Sequence, residues 1–469
     1  MNDLRGKNAL VLGLGVNQGG AGVARYLVEQ GANVRVTDMQ PEERLSDSLA
    51  ALAGLPIDYM LGGHDEGDFR WADIVVRNPA VPGDSRWLRL ARAYGARIEM
   101  EMTLFFRSCP APIIGATGTK GKTTTASMIA TMLRRRWPDA RLAGNMGRSA
   151  VLELAALDAD VPVVIELSSF QIEGLDEQGL SPHIAVITNL AEDHLDRYPS
   201  FDDYVRTKAA LASYQRSSDW LIFNRDDPRL SLLLEGKPGR PVTFGLQDDG
   251  CSHATWIADG RFQGRWDGSS IDFGNVNNLR LPGDHALLNG LAAIAAAMAA
   301  GVPEDAIREG LAEVSPVADR LEPVGSIANV EYVNDTTATI PVAAIAALRS
   351  YAGRALVVLA GGSEKHISMD AFASELVSHA NAVVLLEGSA TPGLRRSLVE
   401  AGHDGIYGPF TSMSSAVEQA AALAEPGGVV LLSPGCASFG TFQNEFDRGR
   451  QFREAVRVLR RSDGSGAIE

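Results

Sequence analysis

The sequence predicts an α/β protein of three domains. Short runs rich in valine, isoleucine and leucine alternate with longer helical patterns along all 469 residues, as is typical of parallel sheets covered by helices. The chain is too long for one domain, because domains usually contain about 100–200 residues. Glycine-rich turns follow two of the predicted strands, at the edge where parallel sheets bind ligands. We place the domains at residues 1–101, 102–316 and 317–469.

The first domain opens with a βαβ unit. Residues 8–14 form an apolar strand, AGVARYLVEQ forms a helix, and NVRVTD forms a second strand that ends at Asp38. The turn from Gly13 to Gly15 is similar to a dinucleotide fingerprint, but Gln18 stands where the last glycine is expected. Asp38 fits either a contact to a ribose or base, or an ordinary turn residue. The unit predicts a nucleotide-type ligand, of which NAD is one candidate.

The strongest local signal is the segment TGTKGKTTT, which begins at Thr117 between an apolar strand and a helix. Its glycines let backbone N–H groups surround phosphate oxygens. Lys122 can reach the β- and γ-phosphates, and Thr123 can ligate magnesium. Ala116 occupies the first glycine position of the general pattern GxxxxGK[ST]. A turn that only caps a helix is the alternative, but the flanking strand and helix favour a nucleoside-triphosphate loop.

Two further polar positions follow predicted strands of the same domain. Glu166 ends the apolar strand in VPVVIELSSFQ, where a carboxylate can hold magnesium but could also cap a helix. The next strand ends in a polar cluster in which His194 could ligate a second magnesium while Asp193 orients its imidazole. The alternative for this cluster is a polar loop with a helix cap. The whole cluster comprises Asn189, Glu192, Asp193, His194 and Asp196.

Residues downstream complete the middle domain. Tyr204 and Lys208 lie four positions apart on a predicted helix and therefore share one face. Residues 236–281 consist of short alternating pieces separated by glycine and aspartate turns, which predict an antiparallel edge of the sheet. The alanine-rich stretch 291–300 predicts a buried helix, since it is about half as long as a membrane span.

The last third predicts another parallel sheet with a composite ligand surface. Its strands are NVEYVND, RALVVLAGG, NAVVLLEG and GGVVLLSPG. Polar segments flank them, and among these Arg320 offers two parallel N–H donors to phosphate oxygens, whereas Asp335 could contact ribose or magnesium. Several such loops at the ends of strands in one domain indicate a shared ligand. The segments are DRLE, NDTTAT, GGSEK and SPGCAS.

Composition excludes several classes of protein. Lys and Arg total 43 against 58 Asp and Glu, a net charge of −15, which disfavours binding to nucleic acid. Cys109, Cys251 and Cys436 lie far apart, so neither a zinc site nor a disulfide framework is predicted. The N-terminal residues carry no apolar signal segment. We therefore predict a cytoplasmic protein without nucleic-acid or membrane partners. We also expect a monomer, although composition does not determine the oligomeric state.

The ordered set of motifs resembles the Mur ligases of bacterial peptidoglycan synthesis, most closely the members that join UDP-N-acetylmuramoyl-L-alanine to D-glutamate. The resemblance runs over nearly the whole chain. It implies an N-terminal Rossmann-like domain for the UDP part of the substrate, a central P-loop ATPase-type parallel sheet, and a C-terminal Rossmann-like domain that brings the amino acid. The motifs are TGTKGKTTT, GNMG, ELSSFQ, NLAEDHLDRYPS, YVRTK, GDHALLN, DRLE, NDTTAT, LAGGSEK and LLSPGCASF.

The resemblance also implies roles for individual residues. The ATP contacts would be Gly118, Thr119, Lys120, Gly121, Lys122, Thr123, Thr124, Asn289, Arg320 and Asp335. Two magnesium ions would be held by Thr123, Glu166, His194 and Lys208, with Lys208 carbamylated into a carboxylate-like ligand. The catalytic set would be Lys122, Glu166, His194 and Lys208. The other substrates would contact Gly15, Val16, Asp38, Asn145, Ser168, His194, Thr339, Lys365 and Ser438.

The activity that the resemblance implies is an ADP-forming amide ligation. The carboxylate of the UDP-linked substrate attacks the γ-phosphate of ATP to give an acyl phosphate, and the amine of glutamate then displaces phosphate. Three departures from the family pattern leave the amino acid and its handedness open. Thr337 stands where a lysine is common, Ala286 replaces an asparagine, and Glu445 beside Phe446 occupies the place of an expected phenylalanine.

Other functions remain open on the sequence alone. Within the same class, the alternatives are ligation of L-glutamate or another amino acid by a different Mur ligase, or a folylpolyglutamate-type ligase. A dinucleotide-dependent oxidoreductase would use Gly13, Gly15 and Asp38 but leaves the phosphate loop unexplained. A regulatory ATP-binding protein would need only that loop and Glu166.

Overall fold

Three sheets form in the regions where the sequence predicts them. The computed structural model describes residues 4–15, 19–145, 149–193, 197–279, 281, 283–365 and 367–462. Its backbone groups into two compact units. Unit 1 comprises residues 1–190, 202–278 and 288–313, and unit 2 comprises residues 191–201, 279–287 and 314–469.

The first sheet of unit 1 contains parallel strands in the order β3-β2-β1-β4-β5. The order reverses between β1 and β4, and ligands of open parallel sheets bind at such a reversal. The strands are β1 (Asn8–Leu12), β2 (Asn33–Asp38), β3 (Ile57–Leu61), β4 (Ile74–Arg77) and β5 (Arg97–Glu99). The helices are α1 (Gly19–Glu29), α2 (Ser46–Ala50), α3 (Glu66–Trp71), α4 (Arg86–Ala93) and α5 (Glu101–Ser108), with a 3-10 helix at Glu42–Arg44.

The second sheet of unit 1 has the strand order β14-β13-β12-β11-β10-β9-β6-β8-β7. It is parallel from β7 to β12 and antiparallel from β12 to β14, as the alternating pieces of 236–281 predict. Its strands are β6 (Ile113–Thr117), β7 (Leu142–Gly144), β8 (Val163–Glu166), β9 (Ile184–Ile187), β10 (Trp220–Asn224), β11 (Arg240–Phe244), β12 (Ala254–Ala258), β13 (Arg261–Trp266) and β14 (Ser269–Asn275).

Helices connect the strands of this second sheet. The predicted alanine-rich helix forms and is buried along most of its length. The α-helices are α6 (Lys122–Arg136), α7 (Ser169–Glu177), α8 (Phe201–Ala209), α9 (Pro228–Leu234), α10 (Asp284–Ala299) and α11 (Glu304–Ala312). The 3-10 helices are Ala150–Ala156, Ala210–Ala212 and Val276–Asn278.

The sheet of unit 2 has the order β15-β16-β20-β17-β18-β19. Its core lies on both faces, with separate clusters of buried apolar side chains. The strands are β15 (Glu322–Ile327), β16 (Val330–Asn334), β17 (Leu356–Ala360), β18 (Ala382–Leu386), β19 (Ile406–Phe410) and β20 (Val429–Leu432). The helices are α12 (Pro341–Ser350), α13 (Asp370–His379), α14 (Thr391–Glu400), α15 (Met413–Leu423) and α16 (Glu445–Ser462).

The sequence prediction missed β15. This strand pairs antiparallel with β16 through a tight turn, whose central residues Ala328 and Asn329 have φ of 48° and 63°. Asparagine often adopts such a backbone but alanine rarely does, so the pair is not one of the usual two-residue hairpin signals. The α/β class and the three-part architecture are confirmed, whereas the boundaries near residues 101 and 317 remain predictions. Among the helices in the described ranges, none is long and apolar enough to cross a membrane.

Candidate active site

The glycine-rich loop after β6 folds as a phosphate-binding loop should. It connects a fully buried strand to α6, whose N-cap residue Gly121 has a φ of 79°. A Cβ atom on Gly121 would lie 2.2 Å from Asn289 Oδ1, and one on Gly118 would lie 2.0 Å from Thr188 Oγ1. Both positions therefore require glycine, because the backbone has a positive φ there and because no space is left for a Cβ atom. The N-terminus of α6 also supplies positive potential for an anion.

Residues at the end of β9 hold this loop in shape. Thr188 Oγ1 and Asn189 Nδ2 donate to the backbone oxygen of Lys120, at 2.7 and 2.8 Å. Asn189 also accepts from the backbone nitrogens of Thr119 and Lys120, at 2.9 Å each. The ammonium of Lys122 donates to the backbone oxygens of Gly118 and Thr119, at 3.1 and 3.0 Å. The loop is thus preorganised, with a cation placed over it.

The remaining predicted contacts of the loop also lie at its edge. Thr123 is the second residue of α6 and is buried, and Thr124 follows it on the same turn. Asn289 on α10 is buried against Gly121. The sequence prediction that these residues meet at one phosphate site agrees with their placement, whereas their roles in binding stay predictions.

Glu166 lies at the C-terminal end of β8, next to Ala116 of β6 in the strand register. It is 1% exposed. Its Oε1 accepts from Asn145 Nδ2 at 3.2 Å, whereas Oε2 is buried without a hydrogen-bond partner among the described residues. A buried carboxylate oxygen without a donor is costly unless a cation or water completes its environment. The donor chemistry at this position therefore fits a hard cation such as magnesium.

Lys208 reaches the same region from α8. It is 1% exposed, and its Nζ lies 3.4 Å from Thr117 Oγ1 and 4.8 Å from the centre of the Tyr204 ring. The Tyr204 hydroxyl donates to Thr119 Oγ1 at 3.2 Å. The predicted shared face of Tyr204 and Lys208 is confirmed, and their side chains contact Thr119 of the glycine-rich loop and Thr117 of β6, respectively.

Ser168 has a structural use that the sequence prediction did not include. It caps α7, where its hydroxyl accepts from the Gln171 backbone nitrogen at 3.3 Å, and the Gln171 side chain accepts from the Ser168 backbone nitrogen at 2.9 Å. This capping box begins two residues after Glu166 and fixes the direction in which the chain leaves β8.

A second cluster forms at the reversal between β1 and β4. Gly15 has a φ of 65°, and its backbone nitrogen donates to Asp38 Oδ2 at 3.0 Å. The other oxygen of Asp38 accepts from the Gln40 backbone nitrogen at 2.8 Å. Asn78, directly after β4, donates to the Gly13 backbone oxygen at 3.3 Å. Asp38 therefore acts as the turn residue that the sequence allowed, and it shapes the predicted nucleotide turn.

His64 packs against Thr37 of β2 and two aromatic rings of the first sheet's helices. Its Nδ1 lies 2.7 Å from Thr37 Oγ1, and its ring makes edge contacts with Phe69 and Trp87. Burial lowers the pKa of His64 below 6.5, and this effect exceeds the opposing influence of Asp38 and Asp68. At acidic pH the unfolded chain therefore binds more protons than the folded chain. The contribution of His64 to the free energy of unfolding is fully present above pH 6.5 and is lost as the pH falls towards its lowered pKa in the folded protein.

We expect His64→Asn to reduce this loss, because asparagine can still pair with Thr37 but does not titrate. The free energy of unfolding, measured by urea denaturation at pH 7.5 and 5.5, should fall less in His64→Asn than in the wild type. An equal fall in both proteins would contradict this assignment.

In unit 2, Arg320 lies in a sharp turn between two residues of positive φ, Asp319 at 65° and Leu321 at 43°. Asp319 Oδ1 accepts from Asn334 Nδ2 at 2.8 Å and pairs with Arg453 at 2.7 Å. Thr337 Oγ1 donates to the Asp319 backbone oxygen at 2.9 Å. Thr337, a departure from the family pattern, thus supports the turn that presents Arg320.

Asp335 follows β16 and contacts two neighbouring segments. Its Oδ2 accepts from Ser433 at 2.9 Å, and its Oδ1 accepts from the Leu321 backbone nitrogen at 3.2 Å. The aspartate therefore connects the DRLE turn with the loop after β20. The structure brings together these two predicted segments at one edge of the sheet.

Two of the three predicted amino-acid contacts, Thr339 and Lys365, meet within unit 2, and the third, Ser438, lies in the same unit. Lys365 Nζ donates to Thr339 Oγ1 at 3.3 Å and to Asp193 Oδ1 at 3.4 Å. Ser438 is buried, and its Oγ has no hydrogen-bond partner among the described residues. An ammonium and a buried hydroxyl suit a ligand carboxylate.

The sequence prediction missed Arg448. This side chain is 0% exposed on α16, and burial lowers the pKa of its guanidinium to about 10. It donates to Thr336 Oγ1 and O at 3.0 and 2.8 Å, and to the backbone oxygens of Cys436 and Ala437 at 3.3 and 3.4 Å. It therefore connects the NDTTAT and SPGCAS loops. No local pattern signals this role, because the connection depends on Thr336, which lies 112 residues away in sequence.

Two predicted site residues, Val16 and His194, lie outside the described residues, as does Asp196 of the predicted polar cluster. Within the ranges that are described, no three His, Cys, Asp or Glu side chains form a group that could hold a metal. The predicted metal set could not form such a group, because Thr123 and Lys208 are other residue types and His194 lies outside the described residues.

Comparison with known proteins identifies three matching families. The MurD-like N-terminal domain of Mur ligases matches residues 7–99, the Mur ligase middle domain matches residues 116–297, and the Mur ligase glutamate ligase domain matches residues 319–436. These three matches follow the three sheets along the chain.

Curated relatives match over nearly their full length. The UDP-N-acetylmuramoylalanine–D-glutamate ligase of Roseiflexus sp. (strain RS-1) is 48% identical over 97% of this chain and 99% of the relative. The enzyme of the same name from Symbiobacterium thermophilum is 35% identical over 97% of this chain and 98% of the relative.

Solved structures agree on the fold. The UDP-N-acetylmuramate–alanine ligase of Thermotoga maritima has a TM-score of 0.62 and 22% identity, and the match covers 97% of this chain and 100% of that chain. A pseudomurein peptide ligase type C of Methanothermus fervidus has a TM-score of 0.60 and 20% identity, with the same coverage.

Proposed function

Because the chain belongs to the Mur ligase family, which uses ATP, we propose that it is the ligase that adds D-glutamate to UDP-N-acetylmuramoyl-L-alanine and forms ADP and phosphate. The observation that carries this proposal is the full-length identity to ligases of that name, together with the phosphate loop beside Glu166. The reaction would proceed through an acyl phosphate, which the amine of glutamate attacks.

The loop after β6 would bind the phosphates of ATP. Backbone N–H groups of Gly118, Gly121 and Thr124 would surround the phosphate oxygens, with Lys122 as the cation and Asn289 at the edge of the loop. Thr119 and Lys120, whose backbone nitrogens donate to Asn189, would line the loop. Transfer of the γ-phosphoryl group spreads negative charge over its oxygens, so preorganised donors lower the barrier.

Two magnesium sites would adjoin this loop. Glu166 and Thr123 would hold the first ion, as the unpartnered Oε2 of Glu166 supports. His194 and a carbamylated Lys208 would hold the second. The ions would neutralise the negative charge that develops on the phosphate and carboxylate oxygens during the transfer. The buried amine of Lys208, 3.4 Å from Thr117 Oγ1, is adjacent to the phosphate loop and would become an oxygen donor on carbamylation.

The nucleotide end of the substrate would bind at the reversal of the first sheet, at Gly15, Val16 and Asp38. Asn145 and Ser168, near Glu166, would contact the remainder of that substrate. The side-chain nitrogen of Asn145 already points to Glu166, so it would orient the carboxylate as well as the substrate.

In unit 2, Thr339, Lys365 and Ser438 would bind glutamate, and Arg320 and Asp335 would contact ATP. The hydrogen bond from Lys365 to Thr339 supports a common site for these two residues. The unpartnered Oγ of Ser438 offers a donor for a carboxylate. With threonine at position 337, Lys365 is the cation that we assign to the side-chain carboxylate of the amino acid.

The test is release of ADP and phosphate from ATP with magnesium and UDP-N-acetylmuramoyl-L-alanine. Four reactions are compared, with D-glutamate, L-glutamate, L-alanine and no amino acid. The mass of the product is measured by mass spectrometry. We expect stimulation by D-glutamate and a product heavier by one glutamyl residue. Stimulation by L-glutamate alone would retain the ligase but overturn the stereochemistry, and no stimulation would overturn the proposed function.

Carbamylation of Lys208 is tested by 13C NMR. Protein equilibrated with 13C-labelled bicarbonate at pH 8 should show a carbamate carbon signal that is absent in Lys208→Met. Lys237→Met serves as the matched control, because its ammonium is bonded to Ser213 in another part of unit 1. A signal that persists in Lys208→Met would contradict the assignment.

We also propose that the protein is a cytoplasmic monomer whose partners are its small-molecule substrates. The net charge of −15 disfavours anionic surfaces and nucleic acid. Light scattering after size-exclusion chromatography would give a mass near 49.9 kDa for a monomer.

A further inference from the structure

A buried arginine connects the loop after β4 to a helix of the second sheet. Arg77 is the last residue of β4, and its side chain is 0% exposed. Its Nη2 donates to Glu177 Oε1 at 3.2 Å, and its Nη1 lies 3.8 Å from Glu173 Oε2. Both glutamates belong to α7, the helix that begins after Ser168. One guanidinium thus pairs with two carboxylates on the same helix.

The same guanidinium also holds the loop itself. Arg77 Nη1 donates to the Val81 backbone oxygen at 2.8 Å. Glu177 pairs with Arg92 at 3.6 Å, and Arg92 donates to the Gly83 backbone oxygen at 3.1 Å. A Cβ atom on Gly83 would lie 3.0 Å from Glu177 Oε1, so the loop and the end of α7 are in close contact. Residues 78–85 are therefore fixed to α7 from two sides.

This loop in turn shapes the glycine turn after β1. Asn78 follows Arg77 directly, and its backbone nitrogen donates to the Leu12 oxygen at 2.8 Å. Its side chain donates to the Gly13 oxygen, and a Cβ atom on Gly13 would lie 2.8 Å from Asn78 Cβ. Displacement of Asn78 would therefore move the turn that includes Gly15.

We infer that Arg77 is a positioning residue for the UDP-bearing substrate: it sets the loop of residues 78–85, and through Asn78 the glycine turn, relative to α7. This inference rests on the proposed function, which places the nucleotide end of the substrate at Gly15. The arginine touches neither Gly15 nor the phosphate loop in any contact described above, so it acts through its neighbours.

The charges explain why the position needs a cation. Glu173 and Glu177 lie four residues apart on one face of α7, where like charges repel. Arg77 lies between them and pairs with both, and Arg92 supplies a second positive charge beside Glu177. Without it, a buried space would face two carboxylates, and the loop would lose its attachment to the helix.

The experiment compares Arg77→Met, which keeps much of the side-chain length, with the wild type. Affinities for UDP-N-acetylmuramoyl-L-alanine and for ADP with magnesium are measured by calorimetry, and KM and kcat by ADP release. We expect the Kd and KM for the UDP substrate to rise about 10- to 100-fold, since small displacements of a binding group have effects of this order. The Kd for ADP and kcat should change by less than about twofold.

Two further variants separate positioning from folding. A triple variant, Arg77→Met with Glu173→Gln and Glu177→Gln, removes the repulsion on α7; it should regain thermal stability but keep the weak binding of the UDP substrate. Arg261→Met removes an exposed ion pair with Asp272 on the antiparallel edge and should leave all affinities unchanged.

The results distinguish this inference from the proposed function. Unchanged affinity for the UDP substrate in folded Arg77→Met would overturn the positioning role, as would an equal loss of affinity for ADP. If the wild type itself neither binds the UDP substrate nor releases ADP in response to glutamate, the proposed function fails. That outcome does not depend on how the Kd and KM of Arg77→Met compare with those of the wild type.

Discussion

Glu166→Gln is expected to lower kcat by about 100- to 1000-fold, the range seen when one preorganised electrostatic contact is lost. The change retains the size of the side chain and its bond to Asn145, but removes the charge that would hold magnesium beside the phosphate loop. Without magnesium, the free energy of unfolding should stay equal or rise, because a buried carboxylate with an unpartnered oxygen is replaced by a neutral amide.

The test is specific because kcat should fall while the free energy of unfolding should not. Turnover is measured by ADP release, and stability by thermal unfolding with and without magnesium and ADP. Magnesium with ADP should raise the melting temperature of the wild type more than that of Glu166→Gln. The matched control is Glu235→Gln, a change at an exposed glutamate after α9. Turnover close to wild type, or an equal magnesium effect in both proteins, would contradict the assignment of Glu166.

Arg448→Met is expected to raise the KM for glutamate about 10- to 100-fold and to destabilise unit 2 by about 2–4 kcal/mol. Four bonds of the guanidinium connect Thr336 with Cys436 and Ala437, and each of these loops continues into a proposed glutamate contact. With a pKa of about 10, the arginine remains charged at neutral pH. Its loss would leave buried carbonyl oxygens without donors.

Arg448→Lys distinguishes loop placement from folding. Lysine keeps the positive charge, but its single ammonium cannot donate to the NDTTAT and SPGCAS loops at the same time as the planar guanidinium does. We therefore expect a folded enzyme with a raised KM for glutamate. The control is Arg450→Met, two residues along α16, where an exposed guanidinium pairs with Asp447. Steady-state kinetics with glutamate as the varied substrate gives the comparison. A KM for glutamate unchanged in both Arg448 variants would rule out this role.

Local patterns were sufficient for much of the candidate site. The phosphate loop, Glu166 at the end of β8 and the shared face of Tyr204 and Lys208 each depend on residues that are close in sequence. A glycine needed at a positive φ, an apolar strand before it and a helix after it are all encoded within about a dozen residues. The alternation of these units also predicted three sheets.

Tertiary contacts decided what such patterns could not show. The sequence allowed Asp38 to be a ligand contact or a turn residue, and only the fold reveals that both its carboxylate oxygens accept backbone N–H groups. Ser168 likewise proved to be a helix cap. These uses depend on where neighbouring chain segments pass, and a residue type alone does not specify that.

The sequence by itself determined the α/β class, the order of the sheets and the residues of the phosphate loop, because backbone periodicity and glycine requirements are local. The tertiary structure alone decided the roles of Arg77 and Arg448, because each guanidinium joins a nearby loop to a partner about 100 residues away along the chain, Glu177 for Arg77 and Thr336 for Arg448. An arginine carries the same local signal on a surface as in a core. Only the packing of distant segments removes it from water and directs its fixed set of donors to particular loops.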